Sequence, residues 1–278
     1  MITQAELTTL WIGDAARPEF VAAANVAAER TRVTVCRDCD EAAAWLARHD
    51  PPEIIVLAHQ RPGRFSCTAI ERLRRLVPLS RMVALLGSWC EGETRTGDPC
   101  PGVQRIFWYD WPLQWRRGVE ALLAGRCPRW GLPLTASSDE PLLMQGGMAR
   151  QSRNGLVVVA ARHYDTAEAL LAACRSEGYA GVWRAPHVPL QLEGALAAIW
   201  SGTDCRPGEA DQLRRLAEEL PGLPIAALLS FPRVEDTVRA GEAGAAAVFS
   251  KPVWLDDLWD WLGALSWRRC GSLNEPAV

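Results

Sequence analysis

Lysine is nearly missing from this chain. Of its 30 basic residues only Lys251 is not an arginine. So strong an avoidance fits a coding bias, and it singles out the lysine that remains, in Phe249-Ser250-Lys251-Pro252. An excess of positive charge is missing too. A formal charge of −3 leaves no basic footprint for nucleic acid. The pairs Arg74-Arg75, Arg116-Arg117 and Arg268-Arg269 are scattered among acids and read as solvated helix faces. No apolar run approaches the roughly 18 residues that a bilayer span needs. The opening residues, Met1 to Glu6, show no basic stretch ahead of an apolar core. Together these absences predict a cytoplasmic protein with neither nucleic-acid nor membrane partners. The nine cysteines are odd in number and irregular in spacing, which speaks against a disulfide framework.

What is present describes two ordinary globular domains. The chain has 278 residues, 49% of them hydrophobic and 23% charged. The segment from Arg126 to Gly155 is punctuated by Pro, Gly and Ser without helical or strand period. It divides the chain into a domain over 1–125, a linker over 126–154 and a domain over 155–278. In the first domain, apolar runs at Leu7–Ile12, Arg32–Cys36, Ile54–Leu57, Met82–Leu86 and Val103–Trp108 predict five strands. Helical patterns separate them, with Asp40 a candidate N-cap. The second domain repeats the order, with strands at Leu156–Val159, Gly181–Arg184, Ala195–Ile199, Ile225–Leu229 and Ala246–Phe249. Uninterrupted apolar strands between helices predict a parallel sheet covered on both faces. Two segments break the pattern. Gly87–Gly102 is rich in Gly and Pro and predicts a domain without a regular fourth helix; His187–Glu193 holds Pro189 and follows directly on Pro186.

The run Pro224-Ile-Ala-Ala-Leu-Leu-Ser, continuing to Ala246-Ala-Val-Phe-Ser-Lys-Pro and Leu255-Asp-Asp-Leu, resembles the receiver domain of two-component response regulators. The first half resembles it through the order of its elements and Glu53-Ile-Ile-Val-Leu. The resemblance implies an α/β fold class: two flavodoxin-like, doubly wound domains, each a five-stranded parallel sheet of order 2-1-3-4-5. It also implies a chemistry. An acidic pair after the first strand would hold Mg²⁺, and a carboxylate after the third strand would accept a phosphoryl group. A hydroxyl after the fourth strand and a lysine after the fifth would respond to it.

Most of those positions hold other residues. In the second domain the acidic pair falls on Ala160-Ala161, the acceptor on Trp200 and the hydroxyl on Leu229; only Lys251, before Pro252, matches. In the first domain Asp14 stands for one metal-binding acid, the acceptor position is Ala58, the hydroxyl position is Leu86 with Ser88 near, and the corner is Trp111-Pro112. Both halves therefore read as degenerate receivers, with no catalytic residue, metal site or cofactor. Lys251, Pro252 and Asp14 are remnants of the corner and the acidic pair.

The remaining constellations are weak. Cys36-Arg-Asp-Cys39 lacks a second CxxC to complete a zinc set. His59 has no acid or nucleophile beside it, and Gly13-Asp14 lacks the glycines of a phosphate loop. Thirteen tryptophans are more telling, because tryptophan is enriched at binding hot spots. Trp89, Trp108, Trp111 and Trp254 form the candidate contact surface. The reading is a non-catalytic signalling or scaffolding module that meets a protein partner, or a second copy of itself, without aspartyl phosphorylation. Two alternatives stand beside it. One is a small-molecule sensor whose crevice is lined by Trp111, Trp89 or Trp200. The other is a phosphoaccepting receiver with a displaced acid, Asp204 or Asp14.

Overall fold

The structure, a computed structural model, describes residues 7–93, 103–131, 153, 155–185 and 194–272. The chain divides into two compact units, Met1–Gly147 and Met148–Val278.

In the first unit, β1 (Thr8–Ile12), β2 (Arg32–Cys36), β3 (Ile54–His59), β4 (Arg81–Leu86) and β5 (Gln104–Phe107) form one parallel sheet of order β2-β1-β3-β4-β5. Every residue of β3 is buried, as a central strand covered on both faces must be. The pleat sends alternate side chains to opposite faces. Leu10, Ile12, Ile55 and Leu57 face α2 (Cys39–Leu46) and α3 (Cys67–Leu76). Trp11, Ile54 and Val56 face α1 (Pro18–Ala28) and α4 (Trp111–Leu123).

The local chemistry accounts for the helix ends. Pro18 and Pro112 lie in first turns, where a missing N–H costs nothing. Ser66 caps α3 by accepting the Ala69 N–H. The cap of α2 is Asp38 rather than the expected Asp40, and it accepts the N–H groups of Asp40 and Glu41 at 3.1 and 2.9 Å. Two acids flank Cys39, and the one with extended backbone is the cap.

The second unit has β6 (Leu156–Ala161), β7 (Ala180–Trp183), β8 (Ala195–Ser201), β9 (Ile225–Ser230) and β10 (Ala247–Lys251), in the order β10-β9-β8-β6-β7. Read from its own first strand, this is again 2-1-3-4-5. Its helices are α5 (Tyr164–Ser176), α6 (Pro207–Glu219), α7 (Val234–Glu242) and α8 (Leu255–Ser272). Val158, Ala160, Ala198, Trp200, Ala227 and Leu229 share one buried cluster with residues of α6 and α7.

The first unit reaches past the expected boundary at residue 125. A turn of 3-10 helix, Arg129–Gly131, brings Trp130 back onto α4, where it is 4% exposed. Its ring stacks on Trp115 at 5.8 Å, which stacks on Trp111 at 4.8 Å, which meets Trp11 edge-on at 6.2 Å. Residues 128–131 thus belong to the first core. The expected linker beyond 131 and the segment His187–Glu193 lie outside the described residues. The expected loop Gly87–Gly102 is described as far as Glu93, with a 3-10 turn over Ser88–Cys90.

Candidate functional site

The carboxyl ends of the strands are where an open α/β sheet places its site. In the first unit this edge is closed by small residues. Gly13 has φ +121°, and a Cβ there would stand 3.0 Å from the Cβ and carbonyl oxygen of Ala58. Ala58 is 2% exposed. Asp14 is exposed, and its Oδ1 accepts the Ala16 N–H at 3.0 Å in a local turn.

Beside them lies a polar network that the sequence did not announce. Glu19, in the first turn of α1, is a buried carboxylate. Its Oε2 accepts the Ser88 N–H at 3.2 Å and the Ser88 hydroxyl at 3.4 Å. Ser88 Oγ in turn accepts the Trp108 indole N–H at 3.0 Å. Glu19 Oε1 faces Arg17 Nε at 3.5 Å, and Arg17 Nη1 donates to Gln60 at 3.0 Å. From sequence, Glu19 looks like any acid that favours a helix N-terminus. Nothing local marks a contact 69 residues away.

His59 ends β3 and is buried, with an Nδ1 that has no hydrogen-bond partner. Burial, then the charges of Arg105 and Arg64, pushes its pKa down to about 4, so the ring is neutral at pH 7. Its carbonyl accepts the Gly87 N–H at 2.8 Å and the Cys90 thiol at 3.4 Å. Cys36 and Cys39 are free and buried. Burial raises both thiols, Cys39 to about 11, which suits packing rather than thiolate chemistry. Cys67 is disulfide-bonded, a bridge that the irregular cysteine spacing does not signal.

In the second unit Lys251 ends β10, one residue before Pro252. Its ammonium donates to the Gly202 carbonyl and, at 3.4 Å, to Ser201 Oγ. Partial burial lowers its pKa, against the pull of the Glu209 carboxylate. Trp200 is 6% exposed, and its ring lies so close that a Cβ on Gly202 would meet it at 2.2 Å. The loop that follows wraps a carboxylate. Glu209 accepts the N–H groups of Thr203, Asp204 and Cys205 at 2.9 to 3.1 Å. Arg239 donates to the Cys205 carbonyl at 2.9 Å. Asp204 is engaged with Arg206, 2.7 Å away. Asp165 lies in the first turn of α5, without acting as its cap. Among the described residues, no three His, Cys, Asp or Glu side chains converge as a metal site would require.

The four tryptophans of the expected contact surface separate. Trp89 is 75% exposed and Trp254 46%. Trp108 is half-buried over Ser88. Trp111 is fully buried and donates its indole N–H to the Ala23 carbonyl, so it belongs to the core and leaves the contact surface. The small-molecule alternative names Trp111, Trp89 or Trp200 as crevice lining. Trp111 and Trp200 are core residues of different units, and Trp89 faces outward.

No protein-family model and no curated protein matches the chain. Among solved structures, the receiver domain of a Francisella response regulator is 15% identical, over 42% of this chain and 99% of its own, with a TM-score of 0.33. A response regulator from Thermotoga maritima is 18% identical, over 41% of this chain and 98% of its own, with a TM-score of 0.33. The C-terminal part of E. coli RcsC, containing a linker region and a phosphoreceiver domain, is 14% identical over 98% of this chain and 97% of its own, with a TM-score of 0.36. The fold is defined by the strand orders given above: two receiver-like, flavodoxin-type α/β units in one chain. No helix among the described residues is long and apolar enough to cross a membrane.

Proposed function

We propose that this chain is a non-catalytic binding module of two degenerate receiver units, which acts by contact with a protein partner and not by aspartyl phosphorylation. One observation carries the reading. The residues at the acceptor positions, Ala58 and Trp200, are buried carbon side chains, and Trp200 packs its ring across Gly202. A phosphoryl group needs a nucleophile and a cationic clamp. Neither position offers an oxygen, and Lys251, the one cation of the family pattern, is bonded to a backbone carbonyl. Trp89 and Trp254 remain as exposed aromatic anchors for a partner.

The test is intact mass after incubation with acetyl phosphate and Mg²⁺, beside a phosphorylatable receiver as control. The expected result is an unchanged mass. A phosphoryl adduct on Asp14, Asp204 or any other carboxylate overturns the proposal.

A further inference from the structure

The turn after β4 carries the most exposed tryptophan among the described residues, Trp89, yet the turn is held from both sides. On one side Cys90 is fully buried and bonded to the His59 carbonyl. On the other, the Ser88 N–H and hydroxyl are held by Glu19 from α1. A buried carboxylate is costly unless it is paired and hydrogen-bonded. The pairing with Arg17 is incomplete, for Glu19 Oε1 and Arg17 Nε are both buried without a hydrogen-bond partner. Both hydrogen bonds to this carboxylate among the described residues come from the turn.

Gly87 supports the same conclusion. Its φ of −79° suits any residue, so backbone freedom does not explain it. Its lack of a side chain does, because a Cβ would stand 2.5 Å from Glu19 Oε1. Glu19, Gly87 and Ser88 thus fit one another across two elements. Ser88 Oγ donates to the carboxylate while accepting from Trp108, which carries the link on to the residue after β5.

We propose that Glu19 is an internal ligand of the Gly87–Cys90 turn. It is a positioning residue that couples α1 to the conformation of Trp89 and, through Ser88, to Trp108. The importance of Trp89 rests on the binding reading above, but the coupling does not.

The test is native-state hydrogen exchange by NMR on the full chain. In Glu19→Ala the amide of position 88 should exchange on the order of 10- to 100-fold faster, as expected for loss of a hydrogen bond to a charged group. The Trp108 indole N–H should accelerate with it, while Val83–Leu85 in β4 keep their protection. Ser88→Ala should separate the two steps, accelerating the Trp108 indole and leaving the amide of position 88 protected. If Glu19→Ala loosens the whole unit, Glu19→Gln decides, because it keeps the shape and one acceptor. Faster exchange confined to 87–90 and the Trp108 indole supports the coupling. Unchanged exchange at position 88 in either variant overturns it. No partner enters the measurement, so its failure leaves the binding reading standing.

Discussion

Single side chains at the strand ends carry the measurable consequences. His59 was legible as a polar residue closing an apolar strand, but its burial was not. An unfolded histidine titrates near 6.5, and the folded ring near 4. Between those values the unfolded chain takes up a proton that the folded chain refuses. Stability of the first unit therefore falls as pH drops from about 6.5 to about 4, by up to about 3 kcal/mol. In urea unfolding at stepped pH, His59→Leu should flatten that decline relative to the unmodified chain; a decline of equal depth in both would contradict it. In the second unit the residue to test is Glu209, in the first turn of α6. Its carboxylate satisfies three successive backbone N–H groups, so Glu209→Ala should destabilise that unit by about 1–2 kcal/mol. Hydrogen exchange in β9 across a urea series measures it, and a loss below about 0.5 kcal/mol, the ordinary surface value, would refute the assignment. Glu19 and Glu209 were both readable as first-turn acids. Their reach was not, because it depends on which loops the fold brings to them.

At the scale of elements, continuous apolar strands and alanine-rich helices left a periodic trace, and the structure differs mainly at their ends. β6 continues past Val159 to Ala161, and β8 past Ile199 to Ser201. The Trp130 turn left no trace, since a lone tryptophan among prolines and glycines has no period. Its fit is specific nonetheless. A Cβ on Gly118, inside α4, would stand 2.0 Å from Trp130 Nε1. Glycine to alanine in a helix interior normally stabilises by about 1 kcal/mol. Here the sign reverses: Gly118→Ala should lower the unfolding midpoint by expelling the indole. Trp130→Ala should cost about 3–5 kcal/mol, as large-to-small changes in a core do. Differential scanning calorimetry of the two variants checks this, and a stabilised Gly118→Ala would show that Trp130 does not seat on α4.

For the molecule as a whole, the strand order was implied by the receiver resemblance, which both halves carry because they repeat one sequence of elements. The boundary after the first half was less readable, since composition marks where periodicity stops and not where packing stops. Against the receiver pattern that the sequence resembles, subtraction marks Ala58 and Trp200, which stand where that pattern has a carboxylate. What subtraction could not reveal is that each unit fills donor groups at its strand ends with a carboxylate of its own, Glu19 in one and Glu209 in the other. In each unit that carboxylate occupies part of the polar edge at the strand ends. The solitary lysine has a practical counterpart. As the only lysine in the chain, Lys251 is the one ε-amine that amine-directed reagents meet besides an α-amine. A fluorophore or tether attached through an ε-amine therefore reports from the Gly202 loop alone, with no engineered attachment point.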